Sequence, residues 1–438
     1  MKTDNRLQNT EHRLQTKDSR LKEYAGKAIR TDNTHNFFLF FVCVLCSVFC
    51  VLSSAEAKIY IDISSPAIRK LPITVNATGT AKAKELEWIV KADLEATGMF
   101  TFVDPDVPGA EIIATMDVDT SSGMRVVLAV NDLIEGREVL KKRLSLSKQS
   151  RTRTMAHTIA NDIYKVVTGK EGIFRTRISY LATLTSGKKG IRLMDWDGFE
   201  SIRVVTRGLN SSHSWTQDGK YLLFSSERER KWIIYLLDLK TLKASILFSS
   251  KGLNLVGGTS KDGLVSFSSS KDGSSEIYSI NTYGKKMKKL TRSFGIDLSP
   301  VYSPDGDKIA FVSDRSGGPQ IYAMDSDGKG VKRITFEGSY NTSPTWSPDN
   351  KWISYSGRVN GKNQIFVVKS DGSEIWQLTM TGNNESPSFS PDGLFLAFDS
   401  DRDGERGIYI MRNTGEGQKR ITQKGSTAIS PRWSPYFN

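Results

Sequence analysis

Few residues of this chain have the types and spacing that catalysis or metal binding requires. After residue 57 the 438-residue sequence has two histidines, His157 and His213, and no clustered cysteines or glutamates accompany them as a zinc site would need. The G-x-S-x-G turn that presents the nucleophile of many hydrolases does not occur. The sequence therefore favours a binding protein over an enzyme, and we expect no cofactor.

One stretch resembles the opening of a calcium loop. Residues 399–404 read Asp-Ser-Asp-Arg-Asp-Gly, and such a loop needs a bidentate glutamate at its twelfth position. That position is Ile410. We therefore expect an ordinary turn here and no metal site.

The elements that would position a binding site are defined by a repeat. Ser303-Pro304-Asp305-Gly306 recurs in similar form, and its aspartate returns at intervals of 43 or 44 residues: Asp218, Asp262, Asp305, Asp349 and Asp392. Proline and glycine at these positions favour a tight turn, and the polar/apolar alternation around them favours short strands. Four strands in each unit of this length are typical of a β-propeller blade.

Six such units fit between Ile178 and Phe437. Three early strand patterns, at 180–184, 191–194 and 202–205, lack an innermost partner, and residues 429–436 at the other end of the repeat region supply one. Pairing these segments hides two exposed strand edges. We therefore predict an all-β, six-bladed propeller over residues 179–438, closed by the C-terminal strand.

The first 57 residues have the pattern of a secretory signal. Residues 37–52 are almost wholly apolar and are followed by Ala55-Glu56-Ala57, a small-x-small cleavage pattern. A membrane-spanning helix needs about 20 apolar residues. We predict that residues 1–57, a signal peptide with a polar N-terminal extension, are removed. All three cysteines lie in the apolar run, so the mature chain would have none.

Residues 58–172 alternate between strand and helix patterns. Strands are predicted at 73–77, 112–117, 124–131 and 137–146, and amphipathic helices at 82–97 and 153–167. We predict a small α/β domain over 58–172, joined to the propeller by a linker at 173–178. His157 lies within the second helix, where we expect a packed structural role.

The formal net charge of the chain is +13. Its lysines and arginines are scattered over strand and turn positions without forming a dense patch. This distribution favours a solvated basic surface, and we expect no nucleic-acid partner.

Polar residues recur where the outer strand of one blade should cross to the inner strand of the next. They stand five residues before the inner-strand aromatic or its equivalent: Asn210, Asn254, Asp297, Asn341 and Asn384, with Ala428 as the exception. His213 follows the first of them and could face the channel. Two interpretations remain open, because these side chains can either cap the crossover turns or form a ring of hydrogen-bonding groups that receives a partner.

The combination of features resembles the TolB family of the Tol-Pal cell-envelope system. The residues that carry the resemblance are Ala156-His157-Thr158, Thr168-Gly169, Phe174-Arg175-Thr176-Arg177-Ile178, the Ser-Pro-Asp-Gly blades and Trp433-Ser434-Pro435-Tyr436. The second blade departs from the pattern, because Gly257-Gly258-Thr259-Ser260-Lys261 lacks both prolines and the aromatic.

The resemblance implies a periplasmic, monomeric, non-enzymatic protein that supports outer-membrane integrity and envelope constriction at division, with no membrane insertion after signal cleavage. The propeller mouth would bind the peptidoglycan-associated lipoprotein Pal, with Leu253 and Asn254 among the contacts. The mature N-terminus would engage TolA by adding a strand to its sheet, through Lys58, Ile59, Tyr60, Ile61, Asp62 and Ile63.

Two rival interpretations remain. One is a periplasmic propeller that binds a carbohydrate or a peptide, either as a binding protein or as an enzyme. It would need carboxylates and arginines converging on the channel. The other is a propeller that scaffolds an outer-membrane assembly machine. The residues predicted at the mouth are mainly amides, which argues against the first rival. A pull-down from envelope extract would separate the second.

Overall fold

The computed structural model describes residues 69–146, 151–184, 187–425 and 427–437. The predicted signal peptide and the predicted TolA-binding residues, Lys58 to Ile63, lie outside the described residues. Neither helix in the described ranges is long and apolar enough to cross a membrane.

The N-terminal region is a five-stranded mixed sheet covered by two helices. The sheet has the order β2-β1-β3-β4-β5, with β1 parallel to β2 and β3 and the other pairs antiparallel. Its strands are β1 Leu71–Gly79, β2 Phe100–Phe102, β3 Ile112–Asp119, β4 Met124–Asp132 and β5 Arg137–Leu146. The short β2 was not predicted from the sequence, because three residues carry too little periodicity.

Both helices are amphipathic, as predicted. Helix α1 spans Ala81–Ala96 and buries Leu86, Ile89, Val90 and Leu94. Helix α2 spans Thr152–Thr168 and ends at Gly169, whose φ of 73° lies in the left-handed region that favours glycine at a helix end. The buried faces of the two helices and the sheet share one hydrophobic core.

The propeller consists of six four-stranded antiparallel sheets. Blade 1 is β9 Leu209–Trp215, β10 Tyr221–Arg228, β11 Lys231–Asp238 and β12 Ala244–Ser249. Blade 2 is β13 Asn254–Thr259, β14 Leu264–Ser269, β15 Glu276–Asn281 and β16 Lys288–Lys289. Blade 3 is β17 Asp297–Tyr302, β18 Lys308–Ser313, β19 Gln320–Asp325 and β20 Lys332–Arg333.

Blade 4 is β21 Asn341–Trp346, β22 Trp352–Val359, β23 Lys362–Lys369 and β24 Ile375–Gln377. Blade 5 is β25 Asn384–Phe389, β26 Phe395–Ser400, β27 Gly407–Arg412 and β28 Lys419–Arg420. Blade 6 combines β6 Arg177–Thr183, β7 Lys189–Asp195 and β8 Ile202–Val205 with β29 Ala428–Trp433.

Blade 6 closes the ring as predicted. Strand β29 is the innermost strand and pairs with β6 from Ala428 opposite Ala182 to Trp433 opposite Ile178. The indole Nε1 of Trp433 also donates to Thr176 Oγ1 at 2.8 Å. Two segments distant in sequence thus complete one sheet, and neither is left as an exposed edge.

The Ser-Pro-Asp-Gly turns are held by their own side chains. Ser303 Oγ accepts from the backbone N–H of Lys308 at 2.9 Å, and Asp305 Oδ1 accepts from that of Asp307 at 3.1 Å. Gly306 has a φ of 78°, which glycine adopts without steric cost. The predicted turn chemistry is therefore confirmed in this blade.

The two regions meet at the end of the propeller where these turns lie. Arg412, at the end of β27, donates through Nη1 to the carbonyl of Thr97 at 2.9 Å. Tyr436 Oη donates to the carbonyl of Glu171 at 3.0 Å. These contacts leave the opposite end of the channel, where the inner strands begin, away from the α/β region.

The segment predicted as a linker is a buried junction. Ile173 and Phe174 are almost fully buried, and the Phe174 ring lies edge-on between Tyr164 of α2 and Trp196 of blade 6, with centroid distances of 5.8 and 5.9 Å. The sequence predicted only a short connection between two domains. In the structure the side chains of this segment pack against both the α/β region and the propeller.

Candidate protein-binding site

The candidate site is the end of the channel at which the inner strands begin. We name it the crossover mouth, because each outer strand there crosses to the next inner strand. Its crossover segments are residues 206–210, 250–254, 291–297, 335–341 and 379–384, together with the described residues 422–425 and 427–428 before the inner strand of blade 6. All five predicted Asx residues and Ala428 begin or lie near the start of an inner strand at this mouth, as the repeat predicted.

The Asx side chains do not face an open mouth. Asn210, Asn254, Asp297, Asn341 and Asn384 are each at most 2% exposed. The prediction that they form an accessible amide ring is wrong, because their polar atoms bond to the crossover turns and to the neighbouring strands. Of the two interpretations that the sequence left open, turn capping is the one that the geometry supports.

Asn254 illustrates the capping. Its Nδ2 donates to the carbonyls of Trp232 at 2.8 Å and Ser250 at 3.3 Å. Its Oδ1 accepts from Ser250 Oγ at 2.9 Å and from Ser269 Oγ at 2.6 Å. One buried amide therefore joins the crossover to two blades.

Blades 3 and 4 add partners that the sequence analysis missed. Asn341 Nδ2 donates to Gln320 Oε1, and Asn384 Nδ2 donates to Gln364 Oε1, both at 2.8 Å. Each glutamine oxygen also accepts from a threonine at the start of the crossover, Thr335 or Thr379. These Gln and Thr residues recur with the repeat period, which is the signal that could have revealed them.

Blade 3 begins with the charged version of this cap. Asp297 accepts from Arg315 Nη2 through both oxygens, at 3.0 and 2.8 Å. Such a paired geometry offsets part of the cost of burying the carboxylate. In blade 6 the inner strand starts at Ala428 and needs no cap of this kind.

His213 is also inaccessible at the mouth. Its side chain is 2% exposed, so the prediction that it contacts a partner is wrong. Burial, together with the positive charge of Arg432, lowers its pKa to about 3. His213 is therefore a neutral, packed residue at neutral pH.

The accessible side chains of the mouth are those that precede the caps. Leu209, Leu253, Ile296 and Tyr340 each stand immediately before a buried Asx residue, and Leu209 and Ile296 are exposed while Leu253 and Tyr340 are half-buried. Earlier in the crossovers, Phe294, Phe336 and Met380 are exposed, the last two by 67% and 71%. We name these seven residues the apolar rim.

The crossovers also carry more positive than negative charge. The exposed basic residues on these segments are Arg207, Lys251, Arg292 and Lys424, and the exposed acidic residue is Glu337. A surface that combines large apolar groups with excess positive charge suits a protein partner with an acidic, partly apolar face.

A cavity of about 410 Å³ lies inside the channel, toward the turn end. Its lining consists of small and apolar residues from the inner strands and their turns, with Arg432 as the charged member. Trp215 and Trp346 contribute to the wall, and their Nε1 atoms donate to carbonyls of the preceding blade, Arg432 at 2.9 Å and Val301 at 3.2 Å.

A second polar cluster lies between α1, α2 and blade 6. His157 Nδ1 lies 2.7 Å from Asp93 Oδ2, and Arg153 pairs with Asp197. Ligand atoms of Asp93, His157 and Asp197 lie within 4.8 Å of one another, as a metal site would need. The Arg153 guanidinium already neutralises Asp197, so these contacts fit a domain junction better. Burial raises the pKa of Asp93 to about 6.

Comparison with known proteins assigns the family. The profile of the TolB beta propeller domain matches residues 164–437, which contain all six blades described above. The chain belongs to the TolB family. The resemblance inferred from the sequence and the predicted fold class are therefore confirmed.

Curated TolB relatives match part of the chain. Protein TolB homolog of Chlorobium chlorochromatii (strain CaD3) is 32% identical over 255 residues, which cover 53% of this chain and 57% of the relative. Tol-Pal system protein TolB of Desulfosudis oleivorans is 32% identical over 286 residues, which cover 58% and 65%. The chain thus spans less than two thirds of the length of these relatives.

A solved TolB structure supports the whole architecture. The crystal structure of TolB from Acinetobacter baumannii superimposes with a TM-score of 0.75 at 28% identity, covering 84% of this chain and 97% of the other. The coverage extends beyond the propeller, so the likeness includes part of the α/β region.

Proposed function

We propose that this protein is a non-enzymatic, periplasmic binding component of a Tol-Pal system, whose crossover mouth binds the lipoprotein Pal. The apolar rim at the free end of the propeller carries this proposal. It is supported by the family assignment and by a curated relative named as a Tol-Pal system protein. Through this link to the peptidoglycan-associated lipoprotein, the protein would support outer-membrane integrity and constriction at division.

The rim has the composition of a protein-binding surface. Aromatic residues and methionine are enriched in the buried centres of protein interfaces, and Phe294, Phe336, Tyr340 and Met380 lie on neighbouring crossovers. The buried caps make the crossovers rigid, so little conformational entropy is lost when a partner binds. The Asx residues thus contribute to partner binding indirectly, because they hold the crossover loops that carry the apolar rim.

The second part of the proposal concerns the mature N-terminus. Lys58, Ile59, Tyr60, Ile61, Asp62 and Ile63 alternate polar and apolar side chains, which suits an added strand on the sheet edge of TolA. If Pal and TolA prefer different states of the protein, each changes the affinity of the other by the same factor. Equal TolA affinity with and without saturating Pal would contradict this coupling.

The mouth is tested with two rim variants and a matched control. Phe336→Ala and Met380→Ala remove exposed side chains from the rim, whereas Trp376→Ala removes a 61% exposed side chain from β24. Calorimetry against the cognate, lipid-free Pal should show about a tenfold loss of affinity for each rim variant, because central apolar contacts contribute more than about 1 kcal/mol each. The control should bind like the wild type.

Two results would overturn this part of the proposal. One is the absence of binding between the wild-type protein and Pal. The other is binding that Trp376→Ala weakens and both rim variants leave unchanged, which would place the contact on the outer strands of blade 4.

A further inference from the structure

One position of the channel wall differs from its equivalents in the other blades. The residue before the inner-strand aromatic, or before its equivalent Thr259 in blade 2, lines the cavity in every blade. It is uncharged in five of them: Ser214, Gly258, Val301, Thr345 and Ser388. In blade 6 this residue is Arg432. The wall of an otherwise neutral channel therefore carries one guanidinium.

The positive charge of Arg432 is not paired within the described residues. Its Nη1 donates to the carbonyl of Pro431 at 2.9 Å, and an arginine side chain has five N–H donors. The carboxylate whose charge acts on the Arg432 guanidinium is that of Asp399. The Asp399 carboxylate is engaged by Arg406 and by the backbone N–H of Ser430 at 2.9 Å.

The surroundings make this charge costly without a counter-ion. Arg432 is half-buried, and burial lowers the pKa of its guanidinium from the ordinary value. Arginine nevertheless stays protonated in proteins. A carboxylate partner offsets the cost of withdrawing such a cation from water, and no described side chain supplies one to Arg432.

The geometry points to a site for a carboxylate group in the channel, held by the free N–H donors of Arg432. A guanidinium binds a carboxylate through two parallel hydrogen bonds. The cavity volume of about 410 Å³ lies within the range of about 300–1,000 Å³ of small-ligand sites. The apolar wall beside Arg432, with Pro300, Pro344 and Trp346, suits the aliphatic part of an acidic side chain.

The ligand we infer is therefore a glutamate or aspartate side chain of an inserted polypeptide segment, and a free small carboxylate shares its chemistry. The site does not depend on Pal as the partner, because it is defined by residues inside the channel. A negative result with the rim variants would therefore leave the inference about Arg432 intact, and a negative result with Arg432→Gln would leave the proposed Pal binding intact.

The first experiment uses the full mature chain and N-acetylglutamate as the probe, followed by saturation-transfer NMR. The expected dissociation constant is on the order of millimolar, because the probe makes a single ion pair. N-acetylglutamine, which lacks the charge, should give no saturable signal. Arg432→Gln should weaken N-acetylglutamate binding at least tenfold, and Arg432→Lys should retain part of it.

The control variant is Arg203→Gln, which removes an exposed arginine from β8 and should bind the probe like the wild type. Retained binding by Arg432→Lys attributes the loss in Arg432→Gln to the missing positive charge. Equal binding of N-acetylglutamate by the wild type and Arg432→Gln, or no binding by the wild type, would overturn the inference.

A second arm separates the two sources of the carboxylate. A short apolar peptide with one central glutamate should bind at least tenfold more tightly than N-acetylglutamate, and its glutamine counterpart should lose this gain. If N-acetylglutamate binds and the peptide does not, the channel takes a small carboxylate, and the inference of an inserted segment is overturned.

Discussion

Replacement of Asn254 by alanine tests whether the recurring Asx residues are caps or partner contacts. The Asn254 side chain is fully buried and makes four hydrogen bonds to Trp232, Ser250 and Ser269. In Asn254→Ala the Trp232 carbonyl loses the amide donor, and the Ser269 hydroxyl loses the acceptor of its proton, although its oxygen still accepts from the backbone N–H of Lys271 at 3.3 Å. A cap predicts a loss of local stability, whereas a partner contact predicts a loss of affinity alone.

The size of the effect follows from the groups left unpaired. A buried polar group without a partner costs about 1–3 kcal/mol. The Trp232 carbonyl and the unpaired proton of the Ser269 hydroxyl together give a loss of about 3 kcal/mol. Because 1.4 kcal/mol corresponds to a factor of ten, the crossover at 250–254 should open about a hundredfold more often.

Hydrogen exchange measures this opening directly. The backbone N–H of Leu253 donates to Ser270 Oγ at 2.9 Å, and that of Ser270 donates to the Leu253 carbonyl at 3.0 Å. Both amides should exchange about a hundredfold faster in Asn254→Ala.

The matched control is Asn413→Ala, because Asn413 is exposed and its side chain makes a single hydrogen bond, to the carbonyl of Gly393. It should leave exchange unchanged at both amides. Unchanged exchange in Asn254→Ala with a loss of Pal affinity would refute the capping role and restore direct contact.

Two further perturbations address stability. Asp93 has a pKa of about 6 in the folded protein, raised by burial from 3.8, so its protonated form favours folding, and this stability is lost as the pH rises through about 6. The free energy of unfolding of Asp93→Asn should therefore rise, relative to that of the wild type, by up to about 3 kcal/mol as the pH increases from 4 to 7.5. Urea unfolding measures this difference, and a difference that does not change with pH would contradict the reasoning. Trp433→Ala removes the buried ring and the hydrogen bond to Thr176, and should lower the free energy of unfolding by about 4 kcal/mol. Trp376→Ala, in which an exposed indole is removed, should stay within about 0.5 kcal/mol of the wild type, and equal effects of the two tryptophan variants would contradict the closure by β29.

The sequence by itself determined the architecture. Turn chemistry at Ser303-Pro304-Asp305-Gly306 is local, and its return at a fixed interval defines the blades without any tertiary information. The unpaired strand patterns at both ends of the repeat region also sufficed to predict how blade 6 closes. Strand edges must be paired or covered, and one pairing satisfied this requirement.

Only the tertiary structure decided which side chains the mouth presents. The repeat located Asn254 and Asn384 at the start of inner strands, but whether an amide turns inward depends on acceptors up to 22 residues away, such as the Trp232 carbonyl and Gln364 Oε1. The same holds for His213, which neighbouring blades bury. Local periodicity defines positions along a strand, whereas burial arises when strands from different blades pack together, and this packing gave the mouth its apolar rim.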